Sequence, residues 1–326
     1  MKMILDMDTG IDDAVAIALA LGSDDADVLA ITSVAGNAPV DLCTHNCLLL
    51  NELLGGDAVV AKGSPGPLER SLLTAQEVHG ADGLGGYSGS LPEPSTLATN
   101  EPAHELLARL PGEHPGEITL VATGPLTNVA LALLANPDAV AAYARLIVMG
   151  GAFDVPGNTG PVAEFNIYVD PEAAGVVLNS ELDITLVPLD ATTGAILHRS
   201  ELEVHERAHR LPMSRPGRDA AAIILRAIDH YMEFQFEESG LDGGYMHDPL
   251  AVAAALDESV LTTHTIAVDV VVDGPDRGRT VHVPTRTNAP AGRRGVRVAS
   301  DHDRVAFSQT LEERVLRPLF GAKTAR

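Results

Sequence analysis

The chain has 326 residues, 45% of them hydrophobic, enough to bury the core of one large α/β domain or two small ones. Its formal charge is −23, from 22 basic and 45 acidic residues, which argues against nucleic acid or an anionic membrane surface as a partner. With no tryptophan and 3% aromatic content, a stacking platform for long nucleic acid is not expected either.

The first element is the apolar run Met3-Ile4-Leu5, which reads as a buried strand entered directly, without a signal peptide. No apolar run reaches transmembrane length. A Gly-centred turn follows, crowded by Asp6, Asp8, Asp12 and Asp13, and then an apolar helix to Leu21. Helix capping explains one or two of these acids but leaves Asp6 and Asp8 without a purpose. Adjacent carboxylates repel, so a fold that gathers them needs a cation, shared protons or water. Strand ends are also where open α/β sheets place their ligands. A second strand, Asp27–Ala35, ends at Gly36-Asn37, and the helix Val40–Leu54 and the strand Ala58–Lys62 come next. This βαβαβ rhythm predicts a parallel sheet with right-handed crossovers. Cys43 and Cys47, one turn apart on the second helix, read as buried free thiols in a reducing compartment, hence a soluble cytoplasmic protein.

Residues 63–100 are rich in Gly, Pro and Ser and contain His79 through Gly86; a long irregular stretch in a compact domain is often an active-site wall or lid. A helix over Pro102–Leu110 and a strand over Glu117–Ala122 lead to the turn Thr123–Asn128, where Thr127 reads as an N-cap. Thr123 sits at the strand end, where its main-chain carbonyl can point outward. After the strand Arg145–Met149 and Gly150-Gly151 comes a loop, Asn158 to Asn166. Its Glu164 and Asn166, two apart in an extended segment, would project to the same side, a pairing suited to sugar hydroxyls. Asp170-Pro171 starts a helix. The strand Ile184–Leu189 runs through Asp190-Ala191-Thr192-Thr193 into a helical region, and the charged run 198–218 reads as a solvated helix face. The helix Asp219–Glu238 puts Tyr231 and Gln235 on one face, and Gly240–Tyr245 reads as a flexible break. Met246-His247-Asp248-Pro249 opens a helix to Leu256, with Asp248 as an adequate N-cap. The tail supplies strands Thr265–Val272, Thr280–Val283 and Gly295–Ala299 and a helix Asp303–Leu319. No repeat or linker divides the chain. The expectation is one α/β domain over 1–326, with a mainly parallel, Rossmann-like central sheet flanked by helices and an active site at the carboxyl ends of its strands.

Two enzyme classes fit the first turn. The haloacid-dehalogenase-type phosphatases carry strand-D-x-D-x-T/V, but Gly10 occupies the fifth position here and no convincing partner lysine follows, Lys62 being the one at a plausible strand end. The run Asp6–Asp13 matches in full the signature D-x-D-x-G-x-D-D of the inosine–uridine-preferring nucleoside hydrolases. The chain resembles that family over nearly its whole length. The resemblance continues through Gly36-Asn37, His79-Gly80, Thr123 to Asn128, Met149-Gly150-Gly151, the Asn158, Glu164, Phe165, Asn166 set and His247-Asp248-Pro249.

The resemblance implies hydrolysis of the N-ribosidic bond of ribonucleosides, with Ca²⁺ bound by Asp8, Asp13, Asp248 and the Thr123 carbonyl, and a water activated by Asp8. An all-oxygen set suits a hard cation. It further implies that Asp12 and Asn166 bond the ribose 2′- and 3′-hydroxyls and that Asn37 orients water and ribose. Asn158 and Glu164 would hold the 5′-hydroxyl, and Met149 would line the sugar face. His247 becomes the candidate for protonating or hydrogen-bonding the leaving base, and Asp6 a supporting acid. His79, Tyr231 and Gln235 are candidate base contacts; an amide such as Gln235 pairs with a pyrimidine edge, which favours uridine and cytidine over inosine. A homodimer or homotetramer is implied. The competing reading, a catalytically silent Ca²⁺-dependent nucleoside-binding protein, requires loss of Asp8 or the water site, and neither loss is visible.

Overall fold

A computed structural model describes residues 1–90, 93–208, 218–283 and 295–320. Its strands are β1 (Lys2–Met7), β2 (Asp27–Ser33), β3 (Val59–Lys62), β4 (Ile118–Ala122), β5 (Arg145–Met149), β6 (Ile184–Val187), β7 (Ile196–His198), β8 (Gly243–Tyr245), β9 (Leu261–Val270), β10 (Thr280–Val283) and β11 (Val296–His302). Nine of them form one sheet in the order β10-β9-β11-β6-β5-β4-β1-β2-β3, and β7 pairs with β8 as a separate ribbon. From β3 across to β11 every pairing is parallel; β9 runs antiparallel to both of its neighbours.

The chain leaves β1 in one direction to build β2 and β3, then returns to the other side of β1 to build β4, β5 and β6. The carboxyl ends of β1 and β4 therefore flank a crevice at the point where the winding reverses, the place such sheets offer to a ligand. Two main-chain bonds prolong the ladder there, from Thr123 N–H to Asp6 O (2.9 Å) and from Val34 N–H to Met7 O (2.9 Å).

Strand alternation divides β1 between two cores. Met3, Leu5 and Met7 pack with the Ile11–Leu21, Arg218–Ser239 and His247–Leu256 helices. Ile4 packs on the opposite face with the Ala103–Glu113, Thr127–Ala135 and Pro171–Leu178 helices. The Ile11–Leu21 helix is buried along nearly all of its length, which accounts for its apolar composition all round.

Several local expectations give way to long-range contacts. Thr127 does not cap its helix; its hydroxyl donates to Asp170 Oδ2 (2.6 Å), and Leu126 holds the cap position. Asp170 does cap, receiving Ala173 N–H, with Pro171 at the first helical position. The segment around Glu164 is not extended: Glu164 is the N-cap of a short helix, Phe165–Val169, and Asn166 lies in its first turn. The stretch 240–245, read as a flexible break, contains β8, and the region after Thr193 opens with β7 instead of a helix. The Arg199–Ala208 helix follows, while residues 209–217 of the charged run lie outside the described residues. The stretch 63–100 holds a short helix, Gln76–His79, and a 3₁₀ turn, Ser88–Ser90. The last helical segment, capped by Asp303, carries a π turn at Glu312–Leu316. Among the described residues no helix is long and apolar enough to cross a membrane.

Candidate active site

The carboxyl ends of β1 and β4 and the start of the His247–Leu256 helix bring Asp8, Asp12, Asp13 and Asp248 together, each at most 5% exposed. One carboxylate oxygen from each of Asp12, Asp13 and Asp248 falls within 4.8 Å of the others. Asp248 occupies the first turn of its helix and not the cap, which falls to Met246, so its side chain is free to turn toward the other acids. Asp12 and Asp248 are hydrogen-bonded to each other.

Asp13 is the most thoroughly tied. Its Oδ2 accepts from Gly10 N–H (2.7 Å) and Asn37 Nδ2 (3.2 Å), and its Oδ1 accepts from the Thr123 hydroxyl (2.8 Å). Asp8 Oδ2 accepts the main-chain N–H of the same Asn37 (2.7 Å), so one residue at the end of β2 spans both acids. Two glycines allow this approach. A Cβ on Gly36 would lie 2.1 Å from Asp8 Oδ2, and one on Gly124 would lie 2.9 Å from the Asp8 main-chain nitrogen.

Electrostatics makes the cluster expensive in isolation. Burial first, then the charge of Asp13, pushes Asp8 well above the usual carboxylate range. Burial and Asp13 raise Asp12 to about 7. Burial raises Asp13 as well, and burial followed by the charges of Asp12, Asp13 and Asp8 raises Asp248 well above its ordinary value. Such a group is held together by protons or by a cation. Asp8 Oδ1 is buried without a protein partner, and the donors are all oxygen, so the residues fit a hard divalent ion. Thr123, assigned a ligand role through its carbonyl, directs that oxygen to Asn166 Nδ2 (2.7 Å).

Asp6 serves the same floor from behind. Its Oδ1 accepts from Thr32 (2.6 Å) and from Asn128 (2.8 Å), and Asn128 also receives Ser64 N–H (2.9 Å). Burial raises Asp6 to about 6. The thiol of Cys43 donates to Asp8 O (3.0 Å), and that of Cys47 lies 2.8 Å from the Thr9 hydroxyl. Both cysteines are buried and free, as their spacing predicts.

On the β5 side, Glu164 spends its oxygens on main-chain N–H groups of Gly151 (3.1 Å), Asn166 (2.9 Å) and Ile167 (3.1 Å), while burial still raises it to about 7. Asn166 Nδ2 also faces Met149 through its carbonyl (3.4 Å) and sulfur (3.5 Å). Asn158 is exposed and accepts Phe165 N–H (2.9 Å), which fixes the start of the Glu164 turn.

The opposite wall is aromatic. His79 Nδ1 accepts Ile11 N–H (3.1 Å), so a neutral ring carries its proton on Nε2. Its ring stacks on Tyr231 at 5.9 Å. Burial, then the neighbouring His247 and His230, lowers its pKa to about 3. Tyr231 is hydrogen-bonded to Gln235, as their shared helix face predicts. His247 Nδ1 lies 2.8 Å from the Thr192 hydroxyl, and its ring stacks on Tyr245 at 5.2 Å. Burial lowers His247 to about 4. Thr192 and Tyr245 are the neighbours that sequence reasoning missed: both belong to segments without regular periodicity, and a bond spanning 55 residues leaves no local signal.

The family model described as inosine-uridine preferring nucleoside hydrolase matches residues 3–309. The chain is 41% identical to the pyrimidine-specific ribonucleoside hydrolase RihA of Salmonella arizonae, over 97% of this chain and 98% of that protein. Its structure is similar to that of a purine-preferring ribonucleoside hydrolase from Gardnerella vaginalis, with a TM-score of 0.89 and 30% identity, covering 99% of this chain and 100% of the other. A plant nucleoside hydrolase aligns with a TM-score of 0.86 and 34% identity, over 98% and 99% of the two chains.

Proposed function

The chain belongs to the inosine–uridine preferring nucleoside hydrolase family and is a ribonucleoside hydrolase, and from that premise we propose a Ca²⁺-dependent enzyme that prefers uridine and cytidine. The observation that carries the reading is the buried Asp12, Asp13 and Asp248 triplet beside the unpartnered Asp8 Oδ1. Asp8, Asp13 and Asp248 would hold the ion with the Thr123 carbonyl, and Asp12 stands close enough to share it or to bond the ribose. When bound, the cation supplies the positive charge that keeps these acids ionised together at neutral pH and makes the attacking water more acidic.

The remaining steps belong to the chain's own side chains. Cleaving the bond to the base builds positive charge at C1′ and negative charge on the base. Asp8, held by the main-chain N–H of Asn37, takes the proton of the attacking water. Asn166 and Asp12 position the 2′- and 3′-hydroxyls, and Asn158 and Glu164 stand toward the 5′ end of the sugar, with Met149 against its face. Glu164, already occupied by three N–H donors, accepts a hydroxyl through a remaining lone pair. His247, kept neutral by burial, donates a hydrogen bond to the departing base and so stabilises the negative charge that builds there. His79, Tyr231 and Gln235 form the base wall, and the Gln235 amide supports a pyrimidine edge, as does the likeness to pyrimidine-specific relatives.

We read 1–326 as one domain of a cytoplasmic enzyme that assembles as a homodimer or homotetramer; light scattering on purified protein tests the assembly. Elemental analysis of protein purified without added metal tests the ion, one Ca²⁺ per chain being expected and stoichiometric zinc excluding it. Steady-state hydrolysis of uridine, cytidine, inosine and adenosine by one preparation tests the base preference, which is lost if inosine has the higher kcat/KM.

A further inference from the structure

We propose that Thr192 is a positioning residue for His247, its hydroxyl donating to Nδ1 across 2.8 Å so that the ring carries its proton on Nε2. The proposal rests on the reading of His247 as the donor to the departing base. Thr192 ends a short helix, Leu189–Thr192, and is fully buried. That helix is fastened at each step. Asp190 accepts the N–H groups of Phe153 (2.9 Å) and Asp154 (2.7 Å), Ala191 O accepts from His302 Nδ1 (3.0 Å), and Thr192 N–H donates to Pro188 O (3.0 Å).

His247 arrives from the other side, just after β8. The β7–β8 ribbon pairs Ile196 with Tyr245, and Met246 N–H donates to Ala195 O at 2.7 Å. Tyr245 stacks on the His247 ring, and Ala195 N–H donates to Thr192 O (3.0 Å), so both ends of the Thr192–His247 bond are held and are tied to each other through Ala195. The ribbon thus has a task in the active site: it closes the 55-residue gap between a hydroxyl and an imidazole.

The kind of partner decides what the ring can do. A carboxylate or carbonyl at Nδ1 accepts only, so it would draw the single proton of a neutral imidazole there and leave Nε2 bare. A hydroxyl can do either, so Nδ1 is able to accept from Thr192 and leave the proton on Nε2, the tautomer that the proposal assigns. Among the described residues Thr192 is the one hydrogen-bond partner of the His247 ring, which leaves Nε2–H available to the base.

Three variants test this: Thr192→Val, Thr192→Ser and His247→Ala, each assayed on uridine and on p-nitrophenyl riboside, whose leaving group departs without a proton. Thr192→Val keeps the shape and removes the donor. Turnover of uridine should fall about tenfold, as for loss of one hydrogen bond that orients the donor to the base, with p-nitrophenyl riboside within about twofold of wild type. Thr192→Ser should restore uridine turnover. Nitrogen-15 spectra of labelled histidine should place the His247 proton on Nε2 in wild type and Thr192→Ser, and redistribute it in Thr192→Val. If His247→Ala discriminates between the substrates but Thr192→Val does not, or if wild-type His247 carries its proton on Nδ1, the positioning role is overturned. If His247→Ala itself affects both substrates equally, the donor reading fails and this proposal with it. A Thr192→Val protein that does not fold leaves the decision to the wild-type and Thr192→Ser spectra, where an Nδ1 proton overturns the role.

Discussion

The two sides of the crevice are built by different rules. On the acid floor, Asp13 is bonded by a main-chain N–H, an amide and a hydroxyl from three separate segments, and Asp8 is gripped by Asn37 and faced closely by Gly36 and Gly124. On the base wall, the contacts run between side chains: His79 on Tyr231, Tyr231 with Gln235, Tyr245 on His247 and His247 with Thr192. Main-chain donors cannot be substituted away, so the grip of Gly10 N–H on Asp13 and of Asn37 N–H on Asp8 is fixed by the fold itself, with the Asn37 amide and the Thr123 hydroxyl added to it. The wall is fixed by side-chain identities that can change one at a time. The named preferences of similar proteins, pyrimidine-specific in one and purine-preferring in another, fit that division.

The contrast is broken most severely at the floor. Asp8→Asn keeps the shape and the bond from Asn37 N–H but replaces the base, so turnover should fall about 10²–10⁴-fold on every nucleoside. Ribose release measured at saturating uridine and inosine checks this; near-normal release from either would assign the water's proton to another group. On the wall, His247→Ala should cost about 10²-fold on natural nucleosides and far less on p-nitrophenyl riboside, with metal content unchanged. Equal losses on both substrates would move His247 from the base to the sugar.

A smaller perturbation separates position from chemistry. Gly36→Ala places one carbon 2.1 Å from where Asp8 Oδ2 now lies, so it displaces Asp8 while deleting no functional group. Inserting a methyl into a closed site costs about 1–3 kcal/mol. We expect about a tenfold loss of kcat on all substrates and a lowered Tm, measured by initial rates and thermal melts. A wild-type rate would mean that Asp8 tolerates displacement, and the rigidity attributed to the floor would be wrong.

The floor was also the part legible in the sequence. Asp6 to Asp13 is contiguous, and the βαβαβ rhythm places its end at the strand edge, so fold class and acid cluster follow from local pattern. What escaped was set by partners far along the chain. Thr127 has the sequence of a cap, yet its hydroxyl is claimed by Asp170, 43 residues away. Asp248 likewise reads as a cap before Pro249, but burial beside Asp12 and Asp13 redirects it. Glu164 and Asn166 have the sequence of an extended pair because the helix they begin spans only Phe165–Val169, too short for periodicity. The β7–β8 ribbon has three residues per strand and two glycines in one of them, below what alternation can reveal.

His79 is where the two regions join, since it is a wall residue whose Nδ1 accepts a main-chain N–H from the floor's own helix. Its burial offers a thermodynamic measure of that joint. The ring's pKa falls from an ordinary 6.5 to about 3 on folding. A depressed histidine favours the neutral form in the folded chain, so its contribution is fully present above pH 6.5 and is lost as pH falls toward 3. The slope over that window is about 1.4 kcal/mol per pH unit, or roughly 2 kcal/mol by pH 5. The buried acids respond in the opposite sense, so the comparison is made against a variant and not against zero. His79→Asn retains an acceptor for Ile11 N–H and removes the titrating group. Urea unfolding of both proteins at pH 7.5 and pH 5 should therefore show the wild type losing about 2 kcal/mol more than His79→Asn on acidification. Parallel pH dependences in the two proteins would mean that His79 is protonated without unfolding, and that the wall can open away from the floor while the rest of the fold stays closed.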